Sequence, residues 1–415
     1  MPGKARTTPA DRKVLRDLAR RVAEAAALPV QKERIELWKR HNSLRRPRAI
    51  LYISPEGAWR ELLPQETLRC AGDRARRIEW DLRGRLYWQE HLRDDTVIEG
   101  TWTVRRAVRL SGWGLEARRI AAPGPTGAWK FDPVILGPED LKKLRFPEVT
   151  VDDKATDQDL AEAHDLFDGI LEVRLRGVQH VSFHIMAAYT ALRGLEQVMM
   201  DMLLEPRMLH DAMAFFEEGC RRLVQQYVDL NLLDLNNDNT YHSSGGRGWT
   251  DELPAEGFDP AHVRPRDLWA SAEAQEMAQV SPAMHEEFIL QYERRLLAPF
   301  GLNGYGCCED LTRKLDDVLR IPRIRRISIS PWADAERCAE KLGNRYIFSW
   351  KPKPQMVAGE YDPDRIRAYL RRALEATRGC VFEMVLKDTH TCDGHPERFE
   401  VWSRIAREEI ERLGE

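Results

Sequence analysis

No stretch of the 415-residue chain approaches the ~18–20 consecutive apolar residues that cross a bilayer. The N-terminal segment MPGKARTTPADRKVLRDLARRV is charged and lacks the apolar heart of a secretory signal. These two absences argue against a membrane protein and set a cytoplasmic expectation. There is no basic excess either: 64 Lys and Arg face 67 Asp and Glu, for a net charge of −3. Nucleic-acid binding driven by counterion release needs a basic surface, so that class is excluded in its simplest form. No strand-like run is followed by a GxGxxG turn, which argues against a dinucleotide site. Cysteine is scarce and odd in number, at 70, 220, 307, 308, 338, 380 and 392. An odd set in a long, signal-free chain points to reduced thiols rather than a disulfide framework.

What is present is globular composition on the polar side, with 43% hydrophobic and 32% charged residues. The first ~45 residues spell two charged helices, one after Thr7-Thr8-Pro9 and one opened by Pro29. Ala49–Ser54 and Thr96–Val104 read as strands by their β-branched content, with a charged helical stretch between them. APGPTGAWKFDPVILGPEDL reads as a loop. LLDLN at 232–236 is a short buried strand, followed by the long polar loop NDNTYHSSGGRGWTDELP.

The last third is the most regular. LNGYGC, IRRISIS, RYIFSW and CVFEMVL alternate with helical patterns. Continuous apolar strands separated by helices indicate a parallel sheet covered on both faces. The expected fold is α/β, a TIM (β/α)8 barrel over residues 46–415 with a helical extension over 1–45. An open doubly wound sheet is the competitor.

In such folds the chemistry gathers at the C-terminal ends of the strands. The four runs end in polar tails that a barrel would bring to one mouth. Cys307 and Cys308 are either zinc thiolates or two packed thiols. Strand alternation would let only one reach a given site and send Cys308 into packing. His390 and Cys392, two apart on an extended segment, would share a side. Glu309 could ligate or act as a general acid. Lys351, Lys353 and Lys387 could hold a carboxylate or phosphate, or lie solvated at strand ends. Asp334 most simply starts a helix, and His242 either touches a substrate or rides in its loop. His184, inside HVSFHIM, reads as a core histidine.

Several of these stretches, GYGCCEDL (304–311), ISISPWAD (327–334), SWKPKP (349–354), KDTHT (387–391) and RGLEQVMMDMLLEPRMLH (193–210) among them, resemble the uroporphyrinogen decarboxylase superfamily. That superfamily includes zinc-dependent corrinoid methyltransferases. The resemblance runs from about Trp38 onward and implies a TIM barrel, often homodimeric. Its methyltransferase members place a His-x-Cys pair where this chain has Tyr305-Gly306-Cys307, and a later Cys near Cys392. Cys307 thus matches one ligand position, Tyr305 replaces the histidine, and His390 stands nearby. The Arg-rich N-terminal motif of the decarboxylases is absent.

The resemblance implies a methyltransferase moving a methyl group between a small methylated substrate or thiol and a corrinoid on a partner protein. Zinc on Cys307, His390 and Cys392 would assist. Glu309, Asp334 and Asp388 would be the catalytic carboxyls, and His242, Trp332, Lys351, Lys353 and Lys387 the substrate contacts. A cofactor-free decarboxylase is the alternative, and a binding barrel without chemistry the third reading.

Overall fold

A computed structural model describes residues 7–121 and 129–414. They form two compact units. The first combines residues up to 106 with 153–176 and 342 onward, and the second combines 107–152 with 177–341. The fold is α/β. Seven strands lie in parallel pairings: β1 Ile50–Ile53, β2 Ser182–Phe183, β3 Trp269–Ala272, β4 Leu302–Tyr305, β5 Ile324–Ile329, β6 Ile347–Trp350 and β7 Val381–Leu386. The expected closed eight-stranded ring is not recorded among the described residues.

In the first unit β7 lies between β1 and β6, with Ile50 opposite Glu383 and Ile347 opposite Val381. Every residue of these three strands is buried, the pattern of parallel strands covered on both faces. The N-terminal helices exist, over Pro9–Ala26 and Pro29–Asn42, the first opened by a Thr8–Asp11 capping box. They are not surface additions. Leu15, Leu18, Ala19 and Val22 share one core with Ile78, Leu82, Leu166 and Phe167. The Trp38 indole donates to the Asp95 carbonyl at 2.8 Å, and buried His41 Nε2 stands 3.0 Å from Glu383 Oε2 in β7. One charge of the first helix turns inward as well: buried Asp11 accepts from Ala71 N at 2.8 Å.

In the second unit the order is β5-β4-β3-β2, all parallel. The strand expected at 232–236 appears as a single bridge, Val178 with Leu233. The Asn236 side chain completes the pairing. It donates to the Gln179 and Trp269 carbonyls at 2.8 and 2.9 Å and accepts from Trp269 N at 2.9 Å. The expected loop around 121–140 contains a strand, Trp129–Asp132, antiparallel to Arg118–Ala121. Its middle, 122–128, lies outside the described residues. The strand expected over Thr96–Val104 begins only at Thr101 and pairs with Glu172–Arg176.

Candidate functional site

Three neighbouring strands of the second unit end in polar side chains. β2 is followed at once by His184, β3 by Glu273, and β4, after Gly306, by Cys307. Parallel pairing puts these ends on one side of the sheet, the C-terminal side where α/β folds do chemistry. His184 Nδ1 is 2.5 Å from Glu273 Oε1. The imidazole is half-exposed while the carboxylate is buried. Burial alone would lower the His184 pKa, but the bond to Glu273 outweighs it, and charge at Cys307 and Glu276 adds to the rise.

Carboxyls crowd around this pair. Glu276 is pushed up to about 7, first by burial and then by the charges of Glu273 and Glu309. Its Oε2 is buried without a hydrogen-bond partner among the described residues. Glu309 is fully buried and accepts from Cys307 N at 2.8 Å and Ala274 N at 3.3 Å. Its pKa rises through burial, with the charge of Glu273 adding. Tyr305 in β4 donates to Glu293 Oε2 at 2.8 Å and stands 3.0 Å from His285 Nε2. Burial drives Glu293 well above its ordinary value and His285 down to about 3, each toward its neutral form.

Cys307 is reached because Gly306 takes φ +94°, a left-handed conformation that turns the chain off the strand. Ser244 Oγ donates to Cys307 Sγ at 3.4 Å. The expectation that Cys308 points away into packing fails. β4 has ended at Tyr305, so strand alternation no longer applies, and Cys308 is exposed with its sulfur 3.6 Å from that of Cys307.

The other expected residues of this unit are His242, Trp332 and Asp334. His242 is buried, with its ring 4.5 Å from Trp269 and Nδ1 3.2 Å from an Arg326 guanidinium nitrogen. Its loop closes on itself, His242 N to Gly246 O and Gly248 N to Thr240 O. Trp332 is 64% exposed. Asp334 accepts from Arg337 N at 3.1 Å at the start of helix Ala335–Leu342, the simple helix-starting role. His184 is not the core residue its apolar context suggests.

In the first unit Lys351 is buried and donates to Ser349 O and Oγ at 3.1 and 2.8 Å. Lys353 Nζ lies 6.0 Å from the Tyr369 ring centre. Lys387 stands between Glu56, at 3.8 Å, and Asp388, at 3.6 Å. Burial raises the Glu56 pKa, and the charge of Asp388 adds to it against Lys387. His390 and Cys392 do not share a side: His390 is exposed and Cys392 is buried. The segment after Leu386 is not a strand, so the two-residue rule does not hold there. Cys392 Sγ donates to Glu61 at 3.1 Å, and its pKa is pushed up to about 12 by burial and by that carboxylate. Glu61 was not foreseen. Burial opposes its ionisation, yet hydrogen bonds from Thr391, Gly394 and Cys392 bring it down to about 2.

Among the described residues no group of three or more His, Cys, Asp or Glu side chains could hold a metal ion. Of the expected zinc ligands, Cys307 belongs to the second unit and His390 and Cys392 to the first.

No family model matches the chain, and no curated protein matches it. A solved structure, a methyltransferase from Methanosarcina mazei, is similar at 12% identity over 64% of this chain and 72% of that one, with a TM-score of 0.37. A likeness this slight establishes neither fold nor function.

Proposed function

We propose that this chain is a methyltransferase whose reaction centre is Cys307 with the His184–Glu273 pair. The observation that carries this reading is the bond between His184 Nδ1 and Glu273 at the end of the strand beside Cys307. A sulfur nucleophile, an imidazole base and a carboxylate that orients the base are the parts that activate a thiol. The stretches resembling the corrinoid methyltransferases supply the reaction class.

His184 takes the proton of the small acceptor thiol, held beside Cys307, as that sulfur attacks the methyl carbon and becomes the thioether. The bond from that carbon to its former carrier breaks, and the electron pair leaves with the carrier. Glu273 holds the imidazolium that forms. Glu276, titrating near neutrality, can exchange the proton with solvent. A corrinoid on a partner protein would supply cobalt as the methyl carrier.

The decarboxylase reading keeps one observation in its favour. Glu276 and Glu309 both hold protons more tightly than ordinary carboxyls, as a group that protonates a carbanion must. The two readings separate in one assay. Purified protein is given methylcobalamin and a small thiol, and separately a panel of carboxylated substrates. Thioether formation that disappears in Cys307→Ser supports methyl transfer. Carbon dioxide release that survives in Cys307→Ser overturns it.

A further inference from the structure

Cys307 and Cys308 are adjacent in sequence, yet their sulfurs face each other at 3.6 Å. Two sulfurs bound at about 2.3 Å to one centre stand about 3.4 Å apart at the bond angle of about 95° of a pyramidal trivalent arsenical, and about 3.8 Å apart at a tetrahedral angle. The pair therefore already has the bite of a two-sulfur chelate. It is also open: Cys308 is exposed and Cys307 half-exposed. The other five cysteines are buried. Burial pushes Cys70, Cys220, Cys338 and Cys392 up to about 12 and raises Cys380, which keeps them protonated and unreactive. The backbone supports the pair on both sides, with Glu309 accepting from Cys307 N and Ser328 Oγ donating to the Cys307 carbonyl at 3.0 Å.

We propose that Cys307 and Cys308 form a vicinal dithiol site that chelates soft thiophilic Lewis acids of the trivalent arsenical class. With an arsenoso compound the exchange balances without any change of oxidation state. Two As–S bonds form, the As–O double bond breaks, and both thiol protons leave with that oxygen as one water. Chelation occupies the sulfur placed at the reaction centre, but the site itself stands on the sulfur geometry and does not depend on methyl transfer.

The test uses the full-length reduced protein and phenylarsine oxide. One equivalent is added, free thiols are alkylated with a first reagent, the arsenical is stripped with a dithiol, and the released thiols are labelled with a second reagent under denaturing conditions after removal of excess first reagent. Prior alkylation is run natively and, in parallel, in denaturant. The tryptic fragment Leu296–Arg313 holds both residues and no other cysteine. The expected result is second label on both sulfurs of that fragment, reversal by a dithiol but not by an equal amount of monothiol, and at least tenfold weaker retention in Cys308→Ser. Retention is read by mass in the undigested protein, so a folded Cys308→Ser variant, checked by circular dichroism, gives an independent reading. Protection of other cysteines instead, or equal retention in wild type and Cys308→Ser, would overturn the proposal. So would loss of the arsenical to monothiol.

Discussion

His184 Nδ1 and Glu273 Oε1 lie 2.5 Å apart although 89 residues separate them in the chain. Each is the first residue after a parallel strand, and the two strands pair with Ser182 opposite Ser271. The contact is therefore set by sheet register, and a one-residue slip of β2 would destroy it.

The first prediction follows from that contact. Glu273→Gln should lower the His184 pKa, because it removes the charge that outweighs burial. The sign for stability is fixed: a raised imidazole pKa gives stabilisation that is complete below the ordinary value of 6.5 and is lost as pH rises through the raised value. Histidine proton titration followed by NMR, with thermal midpoints across the same window, reads both. An unchanged His184 titration in the variant would refute the coupling.

Glu276 gives a second dependence of the same sign, beginning at lower pH. Its pKa is raised from 4.5 to about 7, so the folded state loses stability as pH climbs through that interval. Glu276→Gln should flatten the pH dependence of the thermal midpoint between about pH 4.5 and 7. A variant with the wild-type profile would show that the carboxyl is ionised throughout.

The third concerns Arg193 and Asp201, in the stretch RGLEQVMMDMLL. They form a buried bidentate pair, at 2.7 and 2.8 Å, and Asp201 is fully enclosed. Asp201→Ala leaves the guanidinium without its partner and should cost about 3–5 kcal/mol, measured by urea unfolding. A cost below about 1 kcal/mol would mean the arginine finds other acceptors.

Cys308 supplies the fourth. Because it is exposed rather than packed, Cys308→Ser should change unfolding free energy by less than about 0.5 kcal/mol. A cost near that of a buried truncation would restore the packed position expected from strand alternation.

The legible parts of the sequence were those with long-lived local patterns. LNGYGC, IRRISIS, RYIFSW and CVFEMVL fall on β4, β5, β6 and β7, because a strand buried on both faces must be apolar throughout. Cys307 and Glu309 were legible as a strand-end pair for the same reason. His184 was hidden by its neighbours: HVSFHIM looks like interior, but β2 stops at Phe183 and the next side chain turns out of the sheet. The available signal was positional, a His and a Glu each directly following a short apolar run, SF-H and ASA-E. Cys308 was misread because Gly306 breaks the strand geometry on which alternation depends. His390 and Cys392 failed together, since an i, i+2 pair shares a side only while the backbone stays extended.

The measurement that bears most directly on the central claim is the rate of methyl transfer from methylcobalamin to a small thiol by wild type and by His184→Gln, across pH. Loss of a positioned general base predicts a fall of about 10²–10⁴-fold in the variant, together with loss of the imidazole limb of the pH profile. A His184→Gln protein that transfers methyl at the wild-type rate, with the same profile, would contradict the assignment of this site.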